Sequence, residues 1–188
     1  MYKDRFKDAS DFTFIFVGNI NTEEATPLIE TYLGSLPSIN RKENFRDNKI
    51  DLRQGDYKNV FSKQLETPKA TVLVINNGKC AYTLKNQIMM SMVSQILDIM
   101  YTESIREKEG GTYGVSAYGS LSKYPKEKAV LQIYFDTDPA KRAKMTSIIL
   151  NELNQFANEG PSAENLNKVK EFKLKKHKED IKENGYWL

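Results

Sequence analysis

Residues 103–115 read ESIREKEGGTYGV, and in this stretch a helical pattern gives way to a strand-like one. The pair Gly110 and Gly111 interrupts the helical pattern, because a glycine tolerates the positive φ that commonly ends a helix. The stretch therefore predicts a corner between a helix and a strand, with Arg106 before it and Tyr113 after it. Both side chains donate hydrogen bonds and can serve a carbonyl oxygen or an oxyanion.

The helix that leads into this corner is the longest one in the pattern. Between Thr83 and Glu109 the apolar residues recur at steps of three and four, so one side chain in every turn faces inward. They are Leu84, Ile88, Met92, Ile96, Leu97, Met100 and Ile105. On the other side of the corner, residues 113–121 and 129–135 predict the two strands of a hairpin.

The rest of the chain supplies further elements of both kinds. The aromatic and β-branched run at 11–18 predicts a central strand that is buried on both faces. The other predicted strands are 59–65 and 70–75, and the other helices begin near Asn21, Pro139 and Ser162. The order β-α-β-β-α-β-β-α-α favours a single α+β domain over residues 1–188, in which a mixed, largely antiparallel sheet carries helices on one face.

Composition excludes several classes of protein. The chain of 188 residues is 39% hydrophobic and 28% charged, which is typical of a globular domain and not of a disordered one. Its net charge of +3 gives no general attraction to nucleic acids or membranes. The N-terminus lacks the apolar core of a signal peptide, so we expect either a cytoplasmic protein or a piece of a longer chain, which would be periplasmic if that longer chain carried a signal peptide.

The sequence predicts no metal, cofactor or nucleophile site of its own. It contains one histidine, His177, and one cysteine, Cys80, whereas a zinc site needs three or four suitable ligands. A nucleophile elbow, a P-loop and a dinucleotide-binding glycine motif are all missing from the sequence. We expect His177 to be a solvated surface residue and Cys80 a small buried or half-buried one.

The lysine-rich helix between Lys168 and Lys182 is the one feature that suggests a nucleic-acid partner. Acidic residues interleave with its lysines at spacings that allow ion pairs within the helix. The aromatic residues fall mostly in the core pattern and not among the lysines, so a stacking platform for bases is not expected. A solvated outer face is therefore the favoured interpretation.

Three segments resemble the pitrilysin/insulinase family of zinc metallopeptidases. Residues 106–115 resemble its Arg-x-x-x-Gly-x-x-Tyr signature, residues 6–19 look like the first strand of the half that binds no metal, and residues 66–70 (ETPKA) look like its next recurring signature. Since the element order also agrees, the resemblance covers nearly the whole chain.

The resemblance implies a role for the two donors at the corner. Enzymes of this family are clamshells of homologous halves, and one half carries a His-x-x-Glu-His motif that binds zinc. The other half contributes an arginine and a tyrosine that reach the substrate at the zinc site. In this sequence Arg106 and Tyr113 take those places, and His-x-x-Glu-His is absent. The implied partners are a homologous zinc-bearing domain and a peptide substrate.

Two further interpretations follow from the same residues. The family normally continues beyond the position of Leu188, so the chain resembles an excised piece of the non-zinc half. The family also contains scaffold subunits of the same fold, and in such a subunit Arg106 and Tyr113 would be merely structural. No cofactor is expected on this chain, and zinc is expected on the partner domain.

Overall fold

The computed structural model describes residues 2–42, 44, 46–110 and 112–188; of Arg5, Lys108 and Tyr113 it describes the backbone only. The chain divides into two compact units. The first contains residues 1–49 and 174–188, and the second contains residues 50–173.

The second unit is built on a three-stranded antiparallel sheet. Strand β1 covers Ala70–Gly78, β2 covers Thr112–Ser122 and β3 covers Lys128–Thr137. The order is β1-β3-β2, so β3 pairs on both sides, and Phe135 lies opposite both Val72 and Val115.

Helices account for most of the remaining regular structure. The chain contains α1 (Tyr2–Arg5), α2 (Thr22–Tyr32), α3 (Leu84–Tyr101), α4 (Arg142–Glu159) and α5 (Ala163–Asp180). Helix α3 runs directly into a π-helical segment at Thr102–Lys108, and a short 3₁₀ turn covers Asn184–Tyr186. Thr83 caps α3 by accepting a hydrogen bond from the amide of Asn86.

The core of the second unit lies on one face of the sheet. Helix α3 and the π-helical segment contribute buried side chains at a four-residue spacing, and helix α4 contributes two more. The strands contribute alternate residues, whose side chains point to the same face of the sheet. These residues are Leu97, Tyr101, Ile105, Ala117, Ile133, Phe135, Met145 and Ile149. The predicted α+β class, an antiparallel sheet with helices on one face, is therefore confirmed.

The first unit is organised around Asp8, which is only 1% exposed. Its carboxylate accepts hydrogen bonds from the amides of Ser10, Ile39 and Arg41, each at 3.1 Å. The hydroxyl of Ser10 donates to the same carboxylate at 2.5 Å. One buried side chain thus joins the segment near residue 8 to the segment near residue 40.

Two predicted strands are wrong, and the predicted order of elements is corrected accordingly. Residues 11–18 and 59–65 form no strand, and Phe14 and Ile15 are exposed where burial was expected. A strand exists only where a second strand pairs with it, and among the described residues neither segment pairs with a strand. The residue composition of a segment indicates its propensity to form a strand, but it does not indicate which strand would pair with it.

Candidate functional site

The predicted corner is present, and its helical side is unusual. Arg106 lies exposed on the π-helical segment, while its neighbour Ile105 is completely buried. Single π turns inside helices are rare and occur frequently at functional sites. Gly110 has φ of +54°, as a helix-ending glycine should, and Gly111 lies outside the described residues.

The strand side of the corner begins with a β-bulge. Thr112 pairs with Thr137 and Val115 pairs with Phe135, so Tyr113 and Gly114 both stand opposite Asp136. The hydroxyl of Thr112 accepts a hydrogen bond from the amide of Gly114 at 3.1 Å. It also contacts the carbonyl oxygens of Gly114 and Asp136. A bulge changes the direction of a side chain, which gives the position of Tyr113 a local cause, although its side chain lies outside the described residues.

A groove with a volume of about 940 Å³ lies beside the bulge, and Lys69, Gly114, Tyr134 and Asp136 are among the residues that line it. Asp136 is its polar centre, since it accepts from Lys69 Nζ at 2.8 Å, Thr71 Oγ1 at 2.5 Å and Tyr134 Oη at 2.9 Å. Desolvation alone would raise the pKa of Asp136, but these three donors outweigh it and lower the pKa.

The groove opens on the face of the sheet that the helices leave uncovered. Leu73 and Tyr134 are opposite each other on that face and are 53% and 42% exposed. Tyr118 on β2 is also exposed, at 65%. The same end of the sheet therefore offers an apolar surface next to a set of polar side chains.

A second, smaller groove of about 400 Å³ lies against the other side of the corner and is lined by Asp98, Glu103 and Glu107 among others. Asp98 Oδ1 accepts a hydrogen bond from the amide of Ala117 at 2.6 Å, which connects α3 to the edge of β2. Burial raises the pKa of Asp98, and the hydrogen bond from Ala117 offsets part of that rise.

Metal binding has no visible basis in the described part of the chain. No group of three or more His, Cys, Asp or Glu side chains within it is placed to hold a metal ion. His177 is exposed, with its ring against that of Tyr186, and Cys80 is half-buried.

On the lysine-rich helix, Lys168 pairs with Glu164 and Lys176 with Asp180, as the sequence pattern predicts for a solvated face. No described helix has the length and apolar character that crossing a membrane requires.

The described residues form an α+β domain in which the corner exposes Arg106, and no group of them is placed to bind a metal ion. The family described as the peptidase M16 inactive domain matches residues 2–172. The chain belongs to this family, and the resemblance to zinc metallopeptidases of the pitrilysin/insulinase type is confirmed.

Relatives with known names agree with this assignment. A protein named zinc protease PQQL-like from Arabidopsis thaliana is 28% identical over 199 aligned residues, which cover 97% of this chain and 20% of that protein. The probable zinc protease PqqL of Haemophilus influenzae is 22% identical over 85% of this chain and 17% of its own length. The chain therefore spans about a fifth of the length of these relatives.

Solved structures show the shared fold. The periplasmic protease PqqL from Escherichia coli superposes with a TM-score of 0.73 at 19% identity, over 90% of this chain and 19% of that one. A variant of the ferredoxin protease FusC in complex with Arabidopsis ferredoxin gives a TM-score of 0.64 at 14% identity, over 87% of this chain and 18% of that one. At these identities the likeness concerns the fold alone.

Several features of the site could not be read from the sequence. The corner itself and the position of Arg106 were predictable from the end of the helical period and the glycine pair. The π-helical segment, the groove around Asp136 and the bond from Asp98 to Ala117 were missed, because each depends on residues brought together by tertiary packing. One signal for the bulge was available, since Gly114 interrupts a strand pattern.

Proposed function

We propose that this chain is the substrate-binding, non-zinc half of a zinc metalloendopeptidase. The observation that carries the proposal is the corner, where exposed Arg106 and the bulged position of Tyr113 flank a positive-φ glycine in a chain of the peptidase M16 inactive domain family. Residues 1–188 would act together as one half of the enzyme. A homologous half would bind zinc and activate the attacking water.

The chemistry assigns a clear task to the two donors. Hydrolysis of a peptide bond places negative charge on the former carbonyl oxygen as the tetrahedral intermediate forms. Zinc bound on the other half would supply Lewis-acid stabilisation for part of that charge. A guanidinium and a phenol hydroxyl that are already in place stabilise the remainder without reorganisation at the moment of reaction.

The test uses the intact protein that combines this chain with its zinc-bearing half, and a fluorogenic peptide as substrate. We expect Arg106→Ala and Tyr113→Phe each to lower kcat/KM by about 100- to 1,000-fold, because each removes a donor to the developing oxyanion. The fall should be mainly in kcat, since the donors act more strongly on the transition state than on the bound peptide.

Matched controls exist in the same unit. Tyr118→Phe removes a phenol hydroxyl from an exposed position on the same strand, and Arg53→Ala removes a guanidinium that stacks on Tyr57 at 4.1 Å. Both controls should keep the kinetics of the unmodified protein. Unchanged kinetics in both Arg106→Ala and Tyr113→Phe would refute the assigned roles and favour the scaffold alternative.

A further inference from the structure

The segment that carries Arg106 is connected to helix α4 at both of its ends. At its start, Ser104 Oγ donates to Glu152 Oε2 at 2.9 Å. At its end, Lys144 Nζ donates to Glu109 Oε2 at 2.5 Å. Lys141 Nζ donates to the carbonyl oxygen of Gly110 at 3.1 Å, immediately before the strand that carries Tyr113.

The two lysines occupy positions that helix energetics alone would not select. The N-terminus of a helix carries a partial positive charge and prefers acidic residues or a side-chain cap. Helix α2 follows this rule, with Asn21 as its cap and Glu23 and Glu24 in its first turn. Helix α4 has no acid in its first turn and no side-chain hydrogen bond from its N-cap residue, Lys141. The contacts to the corner supply a reason for placing cations there.

These contacts are better suited to fixing the position of the backbone at the corner than to stabilising the folded state. Lys144 is 63% exposed and Glu109 is 32% exposed, and ion pairs at such exposure contribute little to the free energy of unfolding. A donor to an oxyanion, in contrast, depends on position to within about 1 Å, and a misplacement of that size can cost about 100-fold in rate. Restraint of the backbone on both sides of the corner acts directly on this requirement.

We propose that Lys141, Lys144 and Glu152 are positioning residues that hold the corner so that Arg106 and Tyr113 meet the substrate in register. The inference rests on the proposed function, in which these two side chains stabilise the oxyanion. Lys144 and Lys141 restrain the segment after Arg106, and Glu152 restrains it from the preceding turn. None of the three is expected to touch the substrate.

The experiment compares ion-pair variants in the intact two-half protein. Lys144→Ala and Lys141→Ala remove one contact each, and Lys144→Arg keeps the charge as a conservative rescue. Lys176→Ala is a matched control, because Lys176 forms a similarly exposed pair with Asp180 at 2.6 Å on another helix. Each variant is assayed for kcat and KM, for thermal unfolding, and for hydrogen exchange of the amides in residues 103–114.

We expect Lys144→Ala to lower kcat about 10- to 100-fold with KM nearly unchanged, and to accelerate exchange at the corner. The double variant Lys141→Ala with Lys144→Ala should lower kcat further. Lys144→Arg should have a kcat and a rate of exchange at the corner close to those of the unmodified protein. In all these variants the midpoint of thermal unfolding should stay near that of the unmodified protein. Lys176→Ala should change none of these quantities.

Two results would overturn the inference. Exchange that stays slow in the double variant would show that these contacts do not restrain the corner, and fast exchange with normal kcat would show that the restraint does not serve catalysis. In both cases Arg106→Ala would still be impaired. Failure of the proposed function is different, since Arg106→Ala would then have normal kinetics itself.

Discussion

The carboxylate of Asp98 satisfies a backbone amide at the edge of the sheet. Its Oδ1 accepts the hydrogen bond from the amide of Ala117, an amide on the last strand of the sheet order. An unpaired amide at such an edge is a template for unwanted strand pairing, and a side chain that satisfies it removes that risk. Burial raises the pKa of Asp98, so the folded state carries a cost for keeping this group ionised at neutral pH.

Substitution of Asp98 separates the hydrogen bond from the charge. Asp98→Asn keeps an oxygen for the Ala117 amide and turns its NH₂ group toward the groove that Glu103 and Glu107 line. We expect its free energy of unfolding at pH 7 to equal or exceed that of the unmodified chain. Asp98→Ala leaves the amide without this acceptor and should lose about 1–3 kcal/mol. Urea denaturation followed by circular dichroism measures both values.

The pH dependence gives this prediction a second check. Because the pKa of Asp98 is raised in the folded state, the cost of its charge is present at high pH and disappears as the pH falls through the folded-state pKa. Any advantage of Asp98→Asn should therefore shrink under acidic conditions. An Asn variant as unstable as the Ala variant would show that the negative charge itself is required.

At the scale of elements, the contact between α3 and β2 depends on the absence of a side chain at Gly119. A Cβ built at this position lies 2.3 Å from Met90 Sδ and 2.7 Å from Ser94 Oγ, both on α3. Real Cβ atoms do not approach other heavy atoms so closely, so a side chain at position 119 would force the side chains of Met90 and Ser94 to shift. The same helix leads into the corner, so its height above the sheet affects the position of Arg106.

Gly119→Ala should therefore destabilise the second unit by about 1–3 kcal/mol, which is typical when a packed contact must accommodate an extra methyl group. Gly78→Ala is the matched control, since a Cβ there meets no atom within 4 Å and Gly78 also lies in a strand. The control should be neutral or slightly stabilising. Equal stability of the two variants, measured by thermal unfolding, would contradict the close packing of α3 on β2.

The elements that the sequence predicts correctly combine a clear local pattern with a partner in the structure. Strands 113–121 and 129–135 form a hairpin, and the strand predicted at 70–75 pairs with the same central strand β3. The long helix was identifiable from its periodic apolar residues, of which Leu97 and Ile105 reach the core. The runs at 11–18 and 59–65 have strand-like composition but no partner in the structure, and composition carries no information on pairing.

The candidate site also contains some features that a local sequence pattern indicates and others that it does not. Arg106 and Tyr113 were singled out because residues 106–113 resemble the Arg-x-x-x-Gly-x-x-Tyr signature of the family, which is a local pattern. The bonds from Ser104 to Glu152 and from Lys144 to Glu109 join residues 48 and 35 positions apart, so no local pattern contains them. Features that a short sequence pattern contains are thus more accessible to sequence reasoning than contacts between distant segments.

At the scale of the whole molecule, the chain covers about a fifth of relatives named as zinc proteases and has no group of metal ligands among its described residues. A division of labour between two halves accounts for both facts under the proposed function. Zinc and the attacking water would then belong to one half and the donors Arg106 and Tyr113 to the other. Under the proposed function this chain would have to keep its own fold during the reaction, so its sensitivity to pH would affect the whole enzyme.

Asp8 makes the first unit sensitive to acid. The hydrogen bond from the hydroxyl of Ser10 is the main reason that the pKa of Asp8 is lowered to about 2, and the amides of Ile39, Ser10 and Arg41 add to it. A carboxylate whose pKa is depressed in the folded state contributes stability above its unfolded value of 3.8, and that stability is lost as the pH falls toward 2. The first unit should therefore loosen between about pH 4 and pH 2.

Asp8→Asn removes the titrating group and tests this directly. Below about pH 2 the variant should resemble the unmodified chain, whereas at pH 7 it should be less stable, because a neutral amide is a weaker acceptor and brings two donors into a buried position. Asp11→Asn, an exposed carboxylate in the same unit, is the matched control and should leave stability unchanged at both pH values. Hydrogen exchange at the amides of Ile39 and Arg41 reports the local opening, and its rate relative to the control should rise in Asp8→Asn at pH 7. Protection of these two amides that is equal in Asp8→Asn and Asp11→Asn would show that Asp8 does not hold the two segments together.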